Sequence, residues 1–152
     1  MLSDLATLLA HHAGKVDVLT QHFVLEHLPD LDLAFATAAQ LLRPGGLYFY
    51  VVPQFDSWES RLFGKRWHSL DPPRHLSFPH RAAALRLAAR HGLVLEKDRA
   101  LPFPNGFAGS VPVVLTGKFN FPLFLLVLPH GILLAHLFPQ GNRGFWLRKP
   151  VG

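Results

Sequence analysis

Lys15-Val16-Asp17-Val18-Leu19-Thr20-Gln21-His22-Phe23-Val24-Leu25-Glu26-His27-Leu28-Pro29-Asp30 opens the stretch that decides the fold, which closes with Arg43-Pro44-Gly45-Gly46-Leu47-Tyr48-Phe49-Tyr50-Val51-Val52-Pro53. Val16 to Thr20 is a short apolar run with β-branched residues, broken by one acid, and reads as a strand. Between the two quoted segments, Leu31, Ala34, Phe35, Ala38, Leu41 and Leu42 recur at spacings of three and four, which lines one face of a helix. Asp30 suits its N-cap and Asp32 its first turn. Pro44-Gly45 fits the central positions of a type II turn, and Leu47 to Val52 is again strand-like. A strand, a helix and a strand in that order predict a parallel pair joined by a crossover helix, within an α/β sheet.

Further along, Asp56-Ser57-Trp58-Glu59 reads as a capping box opening a helix over 55–64, with Gly64 as its left-handed stop. Pro72 and Pro73 forbid a helix over 65–76. A polar loop holding Trp67, His68, Asp71, Arg74 and His75 must therefore come after the second strand. His80 to His91 is predicted as a helix ending at Gly92, Leu93 to Glu96 as a strand, Leu2 to His11 as a short helix, and Phe145 to Pro150 as a final strand.

The segment 119–142 carries no charged residue. As one helix it would span about 36 Å, enough for a bilayer core of about 30 Å. Pro129-His130-Gly131 falls in its middle, so two shorter helices are expected. Lys118 precedes the segment, and Arg143, Arg148 and Lys149 come after it. Two readings fit: a kinked hairpin touching the cytoplasmic membrane face, or a helical pair buried on the domain. The seven large apolar side chains of 121–128 are worth about 14 kcal/mol when buried. Exposure to water is therefore not expected.

At 152 residues the chain can bury on the order of 70% of its unfolded surface as one domain. With no cysteine it has no disulfide and no thiolate metal site, which accords with the cytoplasm. The N-terminus is not built as a signal peptide. A net charge of +5 with ten histidines favours anionic partners. The basic residues are scattered, however, and no aromatic-studded basic strand is found, so nucleic acid is not an expected partner.

The wording of two segments carries further information. Asp17-Val18 followed by His22, Val24-Leu25-Glu26-His27-Leu28-Pro29-Asp30 and then Leu41-Leu42-Arg43-Pro44-Gly45-Gly46 resembles the class I S-adenosylmethionine-dependent methyltransferases. The run Arg66-Trp67, Leu70-Asp71-Pro72-Pro73-Arg74-His75-Leu76 is similar to a subset of them. The resemblance covers about residues 14–150, and only the second half of the family's domain. The family's first strand with its Gly-x-Gly loop, and the second strand with its ribose-binding acid, find no match. Gly106 and Gly109, and Gly141 and Gly144, lack a strand-loop-helix setting. What it implies is a Rossmann-like α/β methyltransferase sheet reduced to its fourth to seventh strands. Residues 1–100 would be partial core, 101–142 a hydrophobic insertion broken by proline and glycine, and 143–152 a final antiparallel strand and tail.

By the same resemblance, Gln21, His22, Phe23 and Val24 line the S-adenosylmethionine cleft. Asp17 is structural, and Glu26 caps or hydrogen-bonds near the next helix. His75 is the candidate general base, since an imidazole titrates near pH 6.5; its alternative is a loop-ordering hydrogen bond. Trp67 and Arg74 are candidate substrate contacts, with Arg74 alternatively pairing with Asp71. The implied activity is methyl transfer to a small molecule, lipid or glycan intermediate at the cytoplasmic side. The alternative is a non-catalytic, partner-binding half-fold, and an uncovered sheet edge favours oligomers. No metal is expected from spacing. His22 and His27 are five apart instead of four, and His11-His12 and His75/His80 lack a third ligand.

Overall fold

The structure is a computed structural model and describes residues 5–139 and 141–151. It is a four-stranded sheet with helices on it. Strand β1 is Val16–His22, β2 is Leu42–Pro53, β3 is Val94–Leu101 and β4 is Asn142–Arg148. Their order is β1-β2-β4-β3. β1 and β2 are parallel, while β4 runs antiparallel to both β2 and β3. The helices are α1 (Leu5–His12), α2 (Leu31–Leu41), α3 (Trp58–Phe63), α4 (Arg81–Arg90), α5 (Asn105–Thr116) and α6 (Phe121–Leu137). The first residues of the predicted Leu2–His11 helix lie outside the described residues.

α2 crosses over between the parallel strands as the apolar spacing requires. Asp30 Oδ1 accepts from the Leu33 N–H at 2.9 Å and caps it. Glu26 therefore does not cap this helix. β2 begins at Leu42, earlier than the sequence suggests, because the Arg43-Pro44-Gly45-Gly46 segment bulges out of the ladder. The partners step from Val16↔Leu42 to Val18↔Leu47. Gly45 takes φ +77°, as the third position of a type II turn demands. At Gly46 a side chain would meet the Arg43 and Val16 carbonyls at about 3 Å.

The covered face of the sheet holds Tyr48, Tyr50, Val52, Phe145 and Leu147, packed beneath Phe35 and Ala38 of α2 and Ala84 and Ala88 of α4. The opposite face is thinner. There Phe49 stacks on Trp146 with centroids 4.5 Å apart, Lys97 sits over Trp146, and His22 meets Phe49 edge-on.

Helix α3 is capped by Ser57, whose Oγ accepts from Ser60 N–H, and not by Asp56. α5 and α6 occupy the connection between β3 and β4. They cross closely at Gly131, where a Cβ would lie 2.9 Å from that of Ala108. Trp58 Nε1–H donates to the Phe138 carbonyl at 2.9 Å and ties the end of α6 to α3.

α6 corrects the expected break. It runs unbroken through Pro129 for 17 residues. It also corrects the expected burial, since only Gly131 and Ala135 of α6 are buried. Phe121, Leu126, Leu133 and Leu137 are each more than half exposed. At about 26 Å the helix is shorter than a bilayer core. Among the described residues, no helix is long and apolar enough to cross a membrane.

The glycine pairs that lacked a nucleotide-loop setting have packing roles. A Cβ at Gly106 or Gly141 would overlap the Glu59 carboxylate, and one at Gly109 would overlap the His68 ring. Glu59 is thus a buried carboxylate, 2% exposed, wedged between α3, the start of α5 and the turn before β4. Burial pushes its pKa up to about 7, with the Phe107 backbone N–H offsetting part of the effect. The folded state then holds a proton that the unfolded chain releases above pH 4.5. Glu59's contribution is full below that pH and is lost as pH rises through about 7. The displacement corresponds to roughly 3 kcal/mol. Thermal melts from about pH 5 to 8 should show stability falling with pH. Glu59→Gln should flatten that slope and raise Tm at the alkaline end; an unchanged slope would remove Glu59 from this role.

Candidate active site

The carboxyl ends of β1 and β2 and the start of antiparallel β4 meet at one rim of the sheet. In open α/β sheets this is where ligands sit. A cleft of about 170 Å³ opens there. Phe23 and Glu26 enter it from the end of β1, Pro53 from β2, and Asn142 from β4. His68, Ser69, Asp71 and His75 enter from the proline-containing loop, and Asn105 from the start of α5.

Phe23 takes φ +54°, a left-handed conformation that a bulky side chain adopts only under constraint. That turn ends β1 abruptly and launches the 3-10 turn Leu25–His27. Asp71 is the second such residue among those described, at φ +39°, where the loop reverses.

The two loops are stitched together. The Glu26 carbonyl accepts from Leu76 N–H at 2.7 Å. His27 Nδ1–H donates to the Arg74 carbonyl at 2.9 Å, and His75 Nδ1–H to the Ser69 carbonyl at 2.6 Å. A carbonyl can only accept, so both imidazoles carry a proton on Nδ1, and in the neutral ring Nε2 is the nitrogen that keeps a lone pair. The two rings lie 4.6 Å apart at 62°.

Glu26 is fully buried, and neither carboxylate oxygen has a hydrogen-bond partner among the described residues. Burial raises its pKa; its own backbone N–H and the imidazoles of His75 and His27 partly offset this. Asn105 Oδ1 and both polar side-chain atoms of Asn142 are buried and unpaired as well. Such groups are costly without a partner, so this cleft is shaped for a polar ligand. Burial lowers the pKa of the His68 ring, and the His68 backbone N–H donates to Ser110 Oγ at 2.8 Å.

The residues singled out in the sequence divide. Phe23 and His75 line the cleft, and the hydrogen bond weighed as an alternative for His75 is present. Gln21 instead faces an apolar groove of about 540 Å³ along β1 and α2, and accepts from Tyr48 O–H. His22 and Val24 are exposed. Trp67 is 2% exposed, packed on Phe78 and Phe55, and is not among the cleft-lining residues. Arg74 points to solvent and pairs with Asp71 at 2.7 Å. Asp17 pairs with Arg43 at 2.5 Å. Asn105, Asn142 and the inward aim of Glu26 were not legible. Both asparagines stand at element starts with no neighbouring motif. Glu26, His27 and His75 come from segments whose separation in sequence hides their meeting.

A methyltransferase-domain family model matches residues 4–97, more than half of the chain. A 41-residue segment is 49% identical to a ubiquinone biosynthesis O-methyltransferase of Aromatoleum aromaticum, covering 27% of this chain and 18% of that protein. The Haemonchus contortus phosphoethanolamine N-methyltransferase 2, solved with S-adenosyl-L-methionine, superposes with a TM-score of 0.55 at 12% identity. It matches 91% of this chain and 34% of its own length. The [4+2]-cyclase SpnF superposes equally well, with a TM-score of 0.55 at 17% identity over 92% of this chain and 52% of that one. These solved structures share the fold, and this chain spans about half of their length or less.

Proposed function

The chain belongs to the methyltransferase-domain family, and from that premise we propose that it carries the acceptor-side half of an S-adenosylmethionine-dependent methyltransferase. The acceptor is a small molecule, lipid or glycan intermediate. The observation that carries this reading is the cleft with Glu26, Asn105 and Asn142 buried and unpaired at the carboxyl ends of β1 and β2. Three unsatisfied polar side chains match a polar acceptor group, held in line with a sulfonium methyl arriving over the end of β1. Phe23 lines that approach, with exposed His22 and Val24 beside it in the chain, while Gln21 faces the groove. The methyl donor is already activated, so catalysis is chiefly alignment, with removal of the acceptor proton where needed. His75 Nε2, with its lone pair free, is the base for that step.

A second reading is favoured by the free edge of β1. Val18 is 55% exposed there, beside the apolar groove that includes Leu5, Leu8 and Leu33. An open parallel edge invites pairing with another chain. In that reading the chain is a partner-binding half-fold without activity of its own. The exposed apolar side of α6, preceded in the chain by exposed Lys118, supports contact with anionic lipid at the inner membrane face.

Three measurements separate these readings. Methyl-labelled S-adenosylmethionine, supplied well above the low-micromolar range, should label one of three acceptor pools: polar metabolites, lipids or glycans. His75→Asn should cut that labelling by about 10²-fold or more. No label from any pool would favour the partner-binding reading. In sedimentation the chain should self-associate, and Val18→Lys should shift it toward monomer; a wild-type monomer would count against an open edge. In flotation, binding to vesicles should strengthen with anionic lipid, and Leu125→Asp with Leu133→Asp should abolish it without unfolding the protein. Wild type staying in the unbound fraction at low salt would end the membrane proposal.

A further inference from the structure

Glu26, His27 and His75 each present one ligand atom, and these atoms all lie within 4.8 Å of one another. The arrangement is more than a coincidence of polar groups. Each imidazole is fixed by a hydrogen bond from Nδ1 to a backbone carbonyl, Arg74 for His27 and Ser69 for His75. This second contact orients a ligating histidine and sets which nitrogen is free. The free Nε2 lone pairs are then the only acceptor sites left on the rings. The third donor is a carboxylate with no exposure and no hydrogen bond on either oxygen among the described residues. A buried acceptor left without a partner among the described residues points to a ligand from outside.

We propose that Glu26, His27 and His75 form a three-ligand site for a first-row divalent cation of the zinc type, open toward the cleft. Two imidazoles and one carboxylate are a donor set that such ions accept with positions left over. Bonds of about 2.1 Å place tetrahedral donors about 3.4 Å apart, so the three groups close by a small side-chain rotation. His27 is exposed and gives the ion a path in. The open coordination positions face the space lined by Asp71, Asn105 and Asn142. There a hydroxyl or carbonyl oxygen of a ligand would complete the sphere. The cation would also neutralise a carboxylate that has no other countercharge in direct contact. The site stands on its donors and does not depend on methyl transfer. Where both hold, an acceptor hydroxyl bound to the ion replaces one deprotonated by His75.

The probe is cobalt(II), with zinc(II) as competitor, on protein first dialysed against a chelator. One equivalent per chain should bind with visible absorption bands, zinc should displace them, and the thermal midpoint should rise with either ion. Glu26→Gln, His27→Asn and His75→Asn should each weaken binding by more than about a hundredfold, because even outer partners of metal ligands cost about 10- to 100-fold. The paired His11→Asn and His12→Asn change should leave binding intact. If a ligand variant fails to fold, the wild type still decides: cobalt should shift the imidazole NMR signals of His27 and His75. Absence of saturable binding, binding retained in His75→Asn, loss of binding in the His11/His12 variant, or unshifted His27 and His75 signals would each overturn the site. All of these readouts are independent of methyl transfer.

Discussion

The hydrogen bond from Leu76 N–H to the Glu26 carbonyl, 2.7 Å long, joins the two segments from which the cleft is made. On one side is the short turn that β1 enters through the left-handed Phe23. On the other is the Asp71–Ser77 loop, reversed at left-handed Asp71 and rigid through Pro72 and Pro73. Alone, either segment is a surface loop with exposed backbone groups. Joined, they bury a carboxylate, hold two imidazoles by their Nδ1 protons, and close one wall of the polar space. The bond from His27 runs to the Arg74 carbonyl of that loop, and the bond from His75 to the Ser69 carbonyl in the turn just before it. A shift of either segment would therefore disturb backbone pairing and side-chain aim together.

The sheet beneath explains why the rim lies where it does. β1 and β2 are parallel, so their carboxyl ends emerge side by side. Antiparallel β4 is inserted beside β2 and begins where β2 ends, with Pro53 opposite Asn142. That register delivers Asn142 to the cleft without any loop of its own. Among the described residues, the same topology leaves the other side of β1 unpaired. One strand thus supports the candidate site at its end and an apolar groove along its flank. The groove's neighbours are aliphatic while the cleft's are polar, so the two surfaces select different partners.

Much of this was legible from the sequence. The apolar spacing of Leu31 to Leu42, the Asp30 cap and the Pro44-Gly45 turn are local features, and local physics determines them. His75 could be placed in a loop at the right end of a strand, because the prolines forbid a helix and strand order fixes the side. Three things were not legible. Trp67 reads as a site aromatic but has its burial decided by Phe55 and Phe78, which are distant in sequence. Pro129 reads as a helix break, yet α6 continues through it. Its ring faces solvent and its neighbour Gly131 packs on Ala108, so the crossing with α5 holds the helix across the missing hydrogen bond. Spacing rules for metal ligands compare positions along one segment. The meeting of Glu26 and His27 with His75 is a property of two loops.

Glu26 and Glu59 show how burial of the same residue type leads to different ends. Both are almost wholly inaccessible, and burial raises the pKa of both. Glu59 is enclosed by glycines that leave room for little but its own carboxylate, and a proton is the simplest answer for Oε2, the oxygen without a partner among the described residues. Glu26 faces a space, and one ligand atom from each of the His27 and His75 imidazoles lies within 4.8 Å of its carboxylate. Lone pairs and a carboxylate repel one another. A proton or a cation shared among the three would relieve that repulsion. A proton satisfies one contact, since it has one donor direction. The remaining lone pairs, together with Asn105 and Asn142, have no partner among the described residues and suit a ligand with several donor directions or positive charge. The glycine-walled carboxylate therefore serves packing, whereas the one facing the cleft is built to be completed from outside.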